Sequence, residues 1–208
     1  MAYLKGHTTY VSQTVKNFNL TSQQRPEVFD AFRALLDEVK PSQIFEIGTA
    51  GGGTTMCIRE HLDSINLQPT KIKTFEVKEH KWFQKMRECN IDVVIDNIFD
   101  KSYRNLSKPE VAKDFIQQSG RTIVLCDGGS KINEFNLLSD FLKPNDIIMA
   151  HDYVDTKEKF ESDFKDKIWN WREIGDEHIK AACERNNLQT FFKDVFDPVV
   201  WACWIKPE

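Results

Sequence analysis

The chain carries no C-x-x-C pair. Its five cysteines, at positions 57, 89, 126, 183 and 203, are odd in number and scattered. That argues against a disulfide framework and against a structural zinc site. Four of the five lie in apolar segments, as the buried, reduced thiols of a cytoplasmic protein do. No apolar run approaches the roughly 18–20 residues of a membrane span. The opening segment MAYLKGHTTYVSQTVKN has no apolar core of signal-peptide type. A basic stripe is also missing: 28 Lys and Arg stand against 32 Asp and Glu, a formal net charge of -4, so a nucleic-acid backbone is not the expected partner. There is no internal repeat, no low-complexity tract and no linker rich in Gly, Ser or Pro. The expectation is a cytoplasmic globular protein with a small-molecule partner and no membrane or nucleic-acid role, with homo-oligomerisation left open.

What is present is alternation. With 208 residues the chain can hold one large domain or a domain with a small appendage. Residues 27–39 place Phe29, Phe32, Leu36 and Val39 at helical spacing behind Pro26. Pro41 ends that helix and QIFEI follows as a strand. Helices are expected at 54–65, 80–89, from Ser107 and Pro109 to Gln118, and around Ile132, Phe135, Leu138 and Leu142. Strands are expected at 71–77, 91–95, 121–126 and 147–150. Five strands alternating with helices call for a parallel sheet with helices on both faces. The rhythm then breaks. Phe160, Phe164, Ile168 and Trp171 recur as one amphipathic helix, a second helix spans 176–186, and LQTFFKDVF and VVWACWIK read as an antiparallel hairpin turning at Asp197-Pro198. The expected layout is an arm or lid over 1–25 and a single domain over 26–208.

Glycine is scarce, yet four of the nine glycines fall in QIFEIGTAGGGTT, directly after the first expected parallel strand. In an open parallel sheet, ligands bind beyond the carboxyl ends of the strands, where the strand order reverses. Glycine lets backbone approach a ligand and take positive φ, and the helix starting near Thr54 points its free N–H groups the same way. The spacing is neither the dinucleotide G-x-G-x-x-G nor a P-loop. Glu46, at the strand end, would repel a pyrophosphate and favour a ligand carrying an ammonium and a sulfonium. S-adenosylmethionine has both charges and no phosphate.

The run Glu46-Ile47-Gly48-Thr49-Ala50-Gly51-Gly52-Gly53-Thr54 resembles the first motif of class I S-adenosylmethionine-dependent methyltransferases. It is most similar to the small-molecule O-methyltransferases and the cephalosporin-hydroxylase-like methyltransferases. The resemblance extends from about residue 26 to the end of the chain. It implies a Rossmann-like α/β fold: a seven-stranded, mostly parallel sheet with helices on both faces and a C-terminal antiparallel hairpin. Cofactor contacts would come from Glu46, Gly48, Thr49, Gly51, Gly52, Gly53 and Thr54. Glu76, at the end of the second of these strands, is positioned to accept both ribose hydroxyls. Asp96 and Asn97 stand where the family often has Gly-Asp against the adenine, and a turn-forming Asp-Asn is the alternative.

Chemistry is expected at two further strand ends, Cys126-Asp127-Gly128-Gly129-Ser130-Lys131 and Ala150-His151-Asp152-Tyr153. The fold would bring Asp127, His151 and Asp152 together near the transferable methyl, with Asp127 also touching the cofactor. The resemblance implies Asp127 and Asp152 as ligands of a divalent metal that lowers the pKa of the acceptor hydroxyl. His151 takes the position where the families have an oxygen ligand. Magnesium prefers oxygen, so a His there shifts the site toward manganese or iron, or leaves it without metal. His151 is also a candidate general base, as is Lys131, which follows the strand-four acid by four residues where catechol-type enzymes have three.

Trp169, Trp171 and the arm 1–25 are candidates to cover the acceptor, with packing as the plain alternative. Asp-Gly-Gly-Ser after strand four is unlike the motif of enzymes that methylate base amino groups. The expected activity is methyl transfer to a hydroxyl of a small molecule or sugar, with or without magnesium or manganese. The alternatives are a methyltransferase-fold N-methyltransferase or hydroxylase, and a cofactor-binding domain without turnover. An oxygenase iron site would want two His and a carboxylate, and one His is visible here.

Overall fold

A computed structural model describes residues 8–15 and 20–208. The chain opens with β1 (Thr8–Tyr10) and β2 (Leu20–Ser22), which pair antiparallel as a small separate sheet. Then come α1 (Val28–Val39), β3 (Gln43–Ile47), α2 (Gly53–Ser64), β4 (Lys71–Glu76), α3 (Phe83–Glu88) and β5 (Ile91–Ile95). After these follow α4 (Pro109–Ile116), β6 (Thr122–Cys126), α5 (Lys131–Leu138), β7 (Ile147–His151) and α6 (Lys157–Lys159). The chain ends with α7 (Asp176–Asn186), β8 (Gln189–Thr190), α8 (Lys193–Phe196) and β9 (Trp201–Ile205).

The main sheet has seven strands in the order β5-β4-β3-β6-β7-β9-β8. β3 to β7 are parallel, and β9 runs antiparallel to both of its neighbours. The order reverses between β3 and β6, so the carboxyl ends of these two strands flank the switch point. The expected sheet and its antiparallel C-terminal pair are present.

β3, β6 and β7 are buried along their whole length, as central strands covered on both faces must be. Their period-two alternation divides the core. Ile44, Ile72, Ile123 and Ile147 face a layer built with α1, α2 and α3, whereas Phe45, Phe75, Val124 and Ile148 face α4, α5 and α7. α1 buries Val28, Phe32, Leu35, Leu36 and Val39 on one stripe and ends at Lys40, in the left-handed conformation just before Pro41. Phe32 meets the rings of Phe196 and Trp201 at 5.5 and 5.4 Å, tying α1 to the end of the chain.

Two expectations change. The single amphipathic helix through Trp171 does not form: α6 continues as a π-helical turn over Phe160–Phe164 and stops. Asp166 adopts a φ of 60° and its N–H donates to Asn170 Oδ1 at 2.6 Å. Phe160, Phe164 and Trp169 pack with Val154 and Val200, while Trp171 is 66% exposed. Tertiary contacts outcompete the helical repeat here. The C-terminal strands also do not meet at a tight Asp197-Pro198 turn. β8 ends at Thr190, and the connection winds through α8 and a 3-10 turn (Asp197–Val199). Burial of Phe196 and Val199 beside Phe32 draws this segment out of the sheet.

The expected arm over 1–25 lies partly outside the described residues. Its described part packs on α2. Tyr10 and Ser12 donate hydroxyl hydrogen bonds to Glu60 at 2.7 and 2.6 Å, and Thr21 forms a bridge to Gly52.

Candidate functional site

The candidate residues follow the carboxyl ends of five neighbouring parallel strands: Asp96 and Asn97 after β5, Glu76 at the end of β4, the glycine turn after β3, Asp127 after β6, and His151 with Asp152 at the end of β7.

At the turn, Gly48 has a φ of +93°, and a Cβ there would lie 2.2 Å from the carbonyl oxygen of Asp127. A Cβ on Gly51 would lie 2.2 Å from the carbonyl oxygen of Thr21. Both glycines are therefore required by the chain's own backbone, pressed against β6 and β2. That is a stricter reason for them than the approach of a ligand. Thr49 shares a 2.6 Å hydroxyl hydrogen bond with Thr74, and Thr54 shares one of 2.7 Å with Ser22. Gly52 and Gly53 lead into α2.

Glu46 is buried and accepts a hydrogen bond from Thr55 Oγ1 at 2.7 Å, which ties β3 to α2. Burial, against the pull of hydrogen bonds from Thr74 and Thr55, raises its pKa to about 7. Glu76 behaves differently. Its carboxylate is part-exposed and accepts from the N–H of Ala50 and of Val77, each at 2.8 Å. Two of its roughly four lone-pair sites are left for a ligand. Asp96 is paired with Lys108 and caps the Asn97 N–H, while Asn97 Oδ1 accepts from the Phe99 N–H at 3.0 Å. Tyr103 runs from this loop to Gly129, whose Cβ would sit 3.1 Å from the tyrosine hydroxyl.

The structure brings Asp127, Lys131, His151 and Asp152 into one cluster. His151 Nδ1 lies 3.0 Å from Asp127 Oδ1. A carboxylate can only accept, so Nδ1 carries the proton, and Nε2 is buried without a hydrogen-bond partner. The imidazole is covered by Trp169 and Trp201, with ring centroids at 5.4 and 5.1 Å. Burial pulls the His151 pKa down, but the Asp127 and Asp152 carboxylates outweigh it and hold the pKa above its ordinary value. Lys131 Nζ lies 3.2 Å from Asp152 Oδ2 and 3.8 Å from Asp127 Oδ1. Burial opposes its charge, and the surrounding carboxylates override that and keep it protonated. Among the described residues, no three His, Cys, Asp or Glu side chains converge closely enough to hold a metal ion.

Gln24, Glu173 and Glu134 were not singled out in the sequence, Gln24 falling only within the arm 1–25, whereas Trp169 was expected as a cover for the acceptor. Gln24 is buried; its amide donates to Asp127 Oδ2 at 2.8 Å and its carbonyl accepts from Trp201 Nε1 at 2.7 Å. Glu173 accepts from both the backbone N–H and Nζ of Lys131. Trp169 donates its indole N–H to Asp152 Oδ1 at 2.8 Å. Glu134, fully buried, accepts from the N–H groups of Gly128 and Ser130 and fixes the turn that presents Asp127. An acid beside Phe135 and at helical spacing with Leu138 was the one hint of that role. A surface groove of about 430 Å³ along α7, lined by Ile179, Cys183 and Trp204 among others, includes no member of this cluster.

No family model matches the chain, and no curated protein matches it. Solved structures do. A putative caffeoyl-CoA O-methyltransferase from Staphylococcus aureus is 15% identical, with 88% of this chain and 84% of that chain covered and a TM-score of 0.52. An apo structure of CmcI is 12% identical over 91% of this chain and 75% of that one, with a TM-score of 0.58. Podospora anserina methyltransferase PaMTH1, bound to S-adenosylhomocysteine, is 14% identical over 87% and 78%, with a TM-score of 0.50. At these identities the likeness is one of fold. The chain has the class I S-adenosylmethionine-dependent methyltransferase fold, as the glycine motif implied. No helix among the described residues is long and apolar enough to cross a membrane.

Proposed function

We propose that the chain is an S-adenosylmethionine-dependent methyltransferase acting on a hydroxyl of a small molecule or sugar. The observation that carries this reading is the single row of strand ends. An acid positioned for a ribose, Glu76, and a proton-handling pair, Asp127 and His151, stand on opposite sides of the switch point between β3 and β6. Two of the similar structures, the putative caffeoyl-CoA O-methyltransferase and the methyltransferase PaMTH1, support the same class.

The residues fit the cofactor by the chemistry of their donors and acceptors. Glu76 keeps lone pairs free for two ribose hydroxyls, and Asp96 and Asn97 supply acceptors at the neighbouring strand end for an adenine amino group. When bound, S-adenosylmethionine supplies an electrophilic methyl on sulfur. The chain's own residues would do the rest. Asp127 holds His151 in the tautomer whose Nε2 lone pair is free. That nitrogen is buried beside Trp169 and Trp201, so the Trp169 loop would have to open before it takes the acceptor's hydroxyl proton, as the oxygen displaces sulfur at the methyl carbon. Lys131, kept as an ammonium, has no lone pair to serve as base; its charge instead offsets Asp127 and Asp152. Trp169, whose indole N–H bonds Asp152, would cover the acceptor on that side of the site.

Incubation with methyl-labelled S-adenosylmethionine and a panel of phenols, sugars and amines tests the reading. Label carried onto hydroxyl acceptors supports it. Label moving only to amines, or none moving with any acceptor, contradicts it.

A further inference from the structure

Four oxygens lie within 4 Å of Lys131 Nζ. Glu173 Oε2 lies at 3.1 Å, the Gly128 carbonyl and Asp152 Oδ2 each at 3.2 Å, and Asp127 Oδ1 at 3.8 Å. The side chain is 9% exposed, so water does little to screen these charges. Carboxylates and a backbone carbonyl are the donor set that hard divalent cations take. Here their spacing suits an ammonium: oxygen-bound magnesium, manganese or calcium needs contacts of roughly 2.0–2.6 Å.

The arrangement is built into the fold from three elements. Asp127 follows β6, Lys131 opens α5, and Asp152 follows β7 with a φ of 58°. Glu173 joins from the loop before α7, its own N–H donating to the Asp152 carbonyl at 3.0 Å. Trp169 occupies the other carboxylate oxygen of Asp152, and Gln24 the other oxygen of Asp127. Each acid thus has one oxygen turned to Lys131 or His151 and the second bound elsewhere, so every carboxylate oxygen already has a partner while the ammonium is in place. His151, the remaining candidate ligand, spends Nδ1 on Asp127.

We propose that Lys131 is the resident cation of this site, its ammonium standing where a divalent metal would otherwise bind, so that the chain works without metal. The consequence for catalysis rests on the methyltransferase reading above, whereas the occupancy by Lys131 does not. A second positive charge brought within a few ångströms of Nζ would be repelled, and the carboxylates that would neutralise it are already paired.

The test is titration of the full chain with manganous ion alone, following the free aquo-ion by electron paramagnetic resonance. Wild type is expected to leave the ion free. Lys131→Ala removes the ammonium and leaves Asp127, Asp152 and Glu173 to gather a metal, with affinity rising at least about tenfold. Adding Asp152→Asn to that variant is expected to reverse the gain. Lys131→Ser provides a second opening of the cage, and circular dichroism reports whether each variant folds. Manganese bound by wild type and lost in Asp152→Asn would overturn the proposal. So would folded Lys131→Ala and Lys131→Ser proteins with no gain. The wild-type titration decides on its own if neither variant folds. Calorimetry with S-adenosylhomocysteine on the same samples keeps the two readings apart: absent cofactor binding with the manganese results intact would sink the methyltransferase reading alone.

Discussion

Gln24 donates its side-chain amide to Asp127 across 103 residues of sequence, at 2.8 Å, and accepts from the indole of Trp201 with its other end. A buried amide thereby joins the N-terminal segment, the proposed catalytic carboxylate and the last strand. Gln24→Leu would strand the buried indole N–H of Trp201 and one oxygen of the half-buried Asp127 carboxylate, and the expected loss of stability is about 2–6 kcal/mol, at roughly 1–3 kcal/mol for each unsatisfied group. Urea unfolding measures it. A loss below about 0.5 kcal/mol, the scale of an ordinary surface change, would show that the bridge contributes little.

Glu76 is expected to hold the cofactor rather than the fold. Glu76→Ala should weaken binding of S-adenosylhomocysteine by about tenfold or more, the scale of one lost charge-assisted hydrogen bond. Calorimetric titration is the measurement. Because the Ala50 and Val77 N–H groups lie at an exposed turn, water can replace the lost carboxylate there and the melting temperature should move little.

Glu46 makes stability depend on pH. Its pKa is near 7 in the folded chain and close to 4.5 when unfolded. Between those values the native state keeps a proton that the unfolded chain has lost, so this contribution is full below about pH 4.5 and declines as pH rises through 7. The shift corresponds to roughly 3 kcal/mol. Glu134, also raised to about 7 by burial, acts in the same direction. Glu46→Gln, neutral throughout, should flatten part of the decline seen by urea unfolding at pH 5 and pH 8. An unchanged decline in that variant would contradict the assignment.

His151→Asn should cost about 10²–10⁴-fold in turnover, the usual worth of a general base, with cofactor binding retained. Since the carboxylates hold the imidazole's pKa above its ordinary value, wild-type activity should climb with pH through a midpoint above about 6.5. A variant with wild-type turnover, or a rate flat across that range, would remove the imidazole from the mechanism.

The parallel core was legible because β3, β6 and β7 are mostly apolar and bounded by Pro, Gly or Asn-Asp. The strand-end residues were legible for the same reason, since Asp127 and His151 directly follow such runs. What escaped was everything decided by contacts distant in sequence. Gln24 sits in a polar stretch without periodicity, and only folding sets it against Asp127 and Trp201. The helical spacing through Trp171 was genuine, yet the bond from Trp169 to Asp152 and the turn at Asp166 override it. The glycines were read as room for a ligand. Gly48 and Gly51 are also pressed against Asp127 and Thr21, a constraint that no local pattern reveals.

Whether the row of strand ends binds S-adenosylmethionine is decided by calorimetric titration with S-adenosylmethionine and S-adenosylhomocysteine. Both ligands are expected to bind at micromolar concentration, more weakly to Glu76→Ala and equally well with or without magnesium or manganese. Absence of binding to either would contradict the methyltransferase reading and leave only the fold.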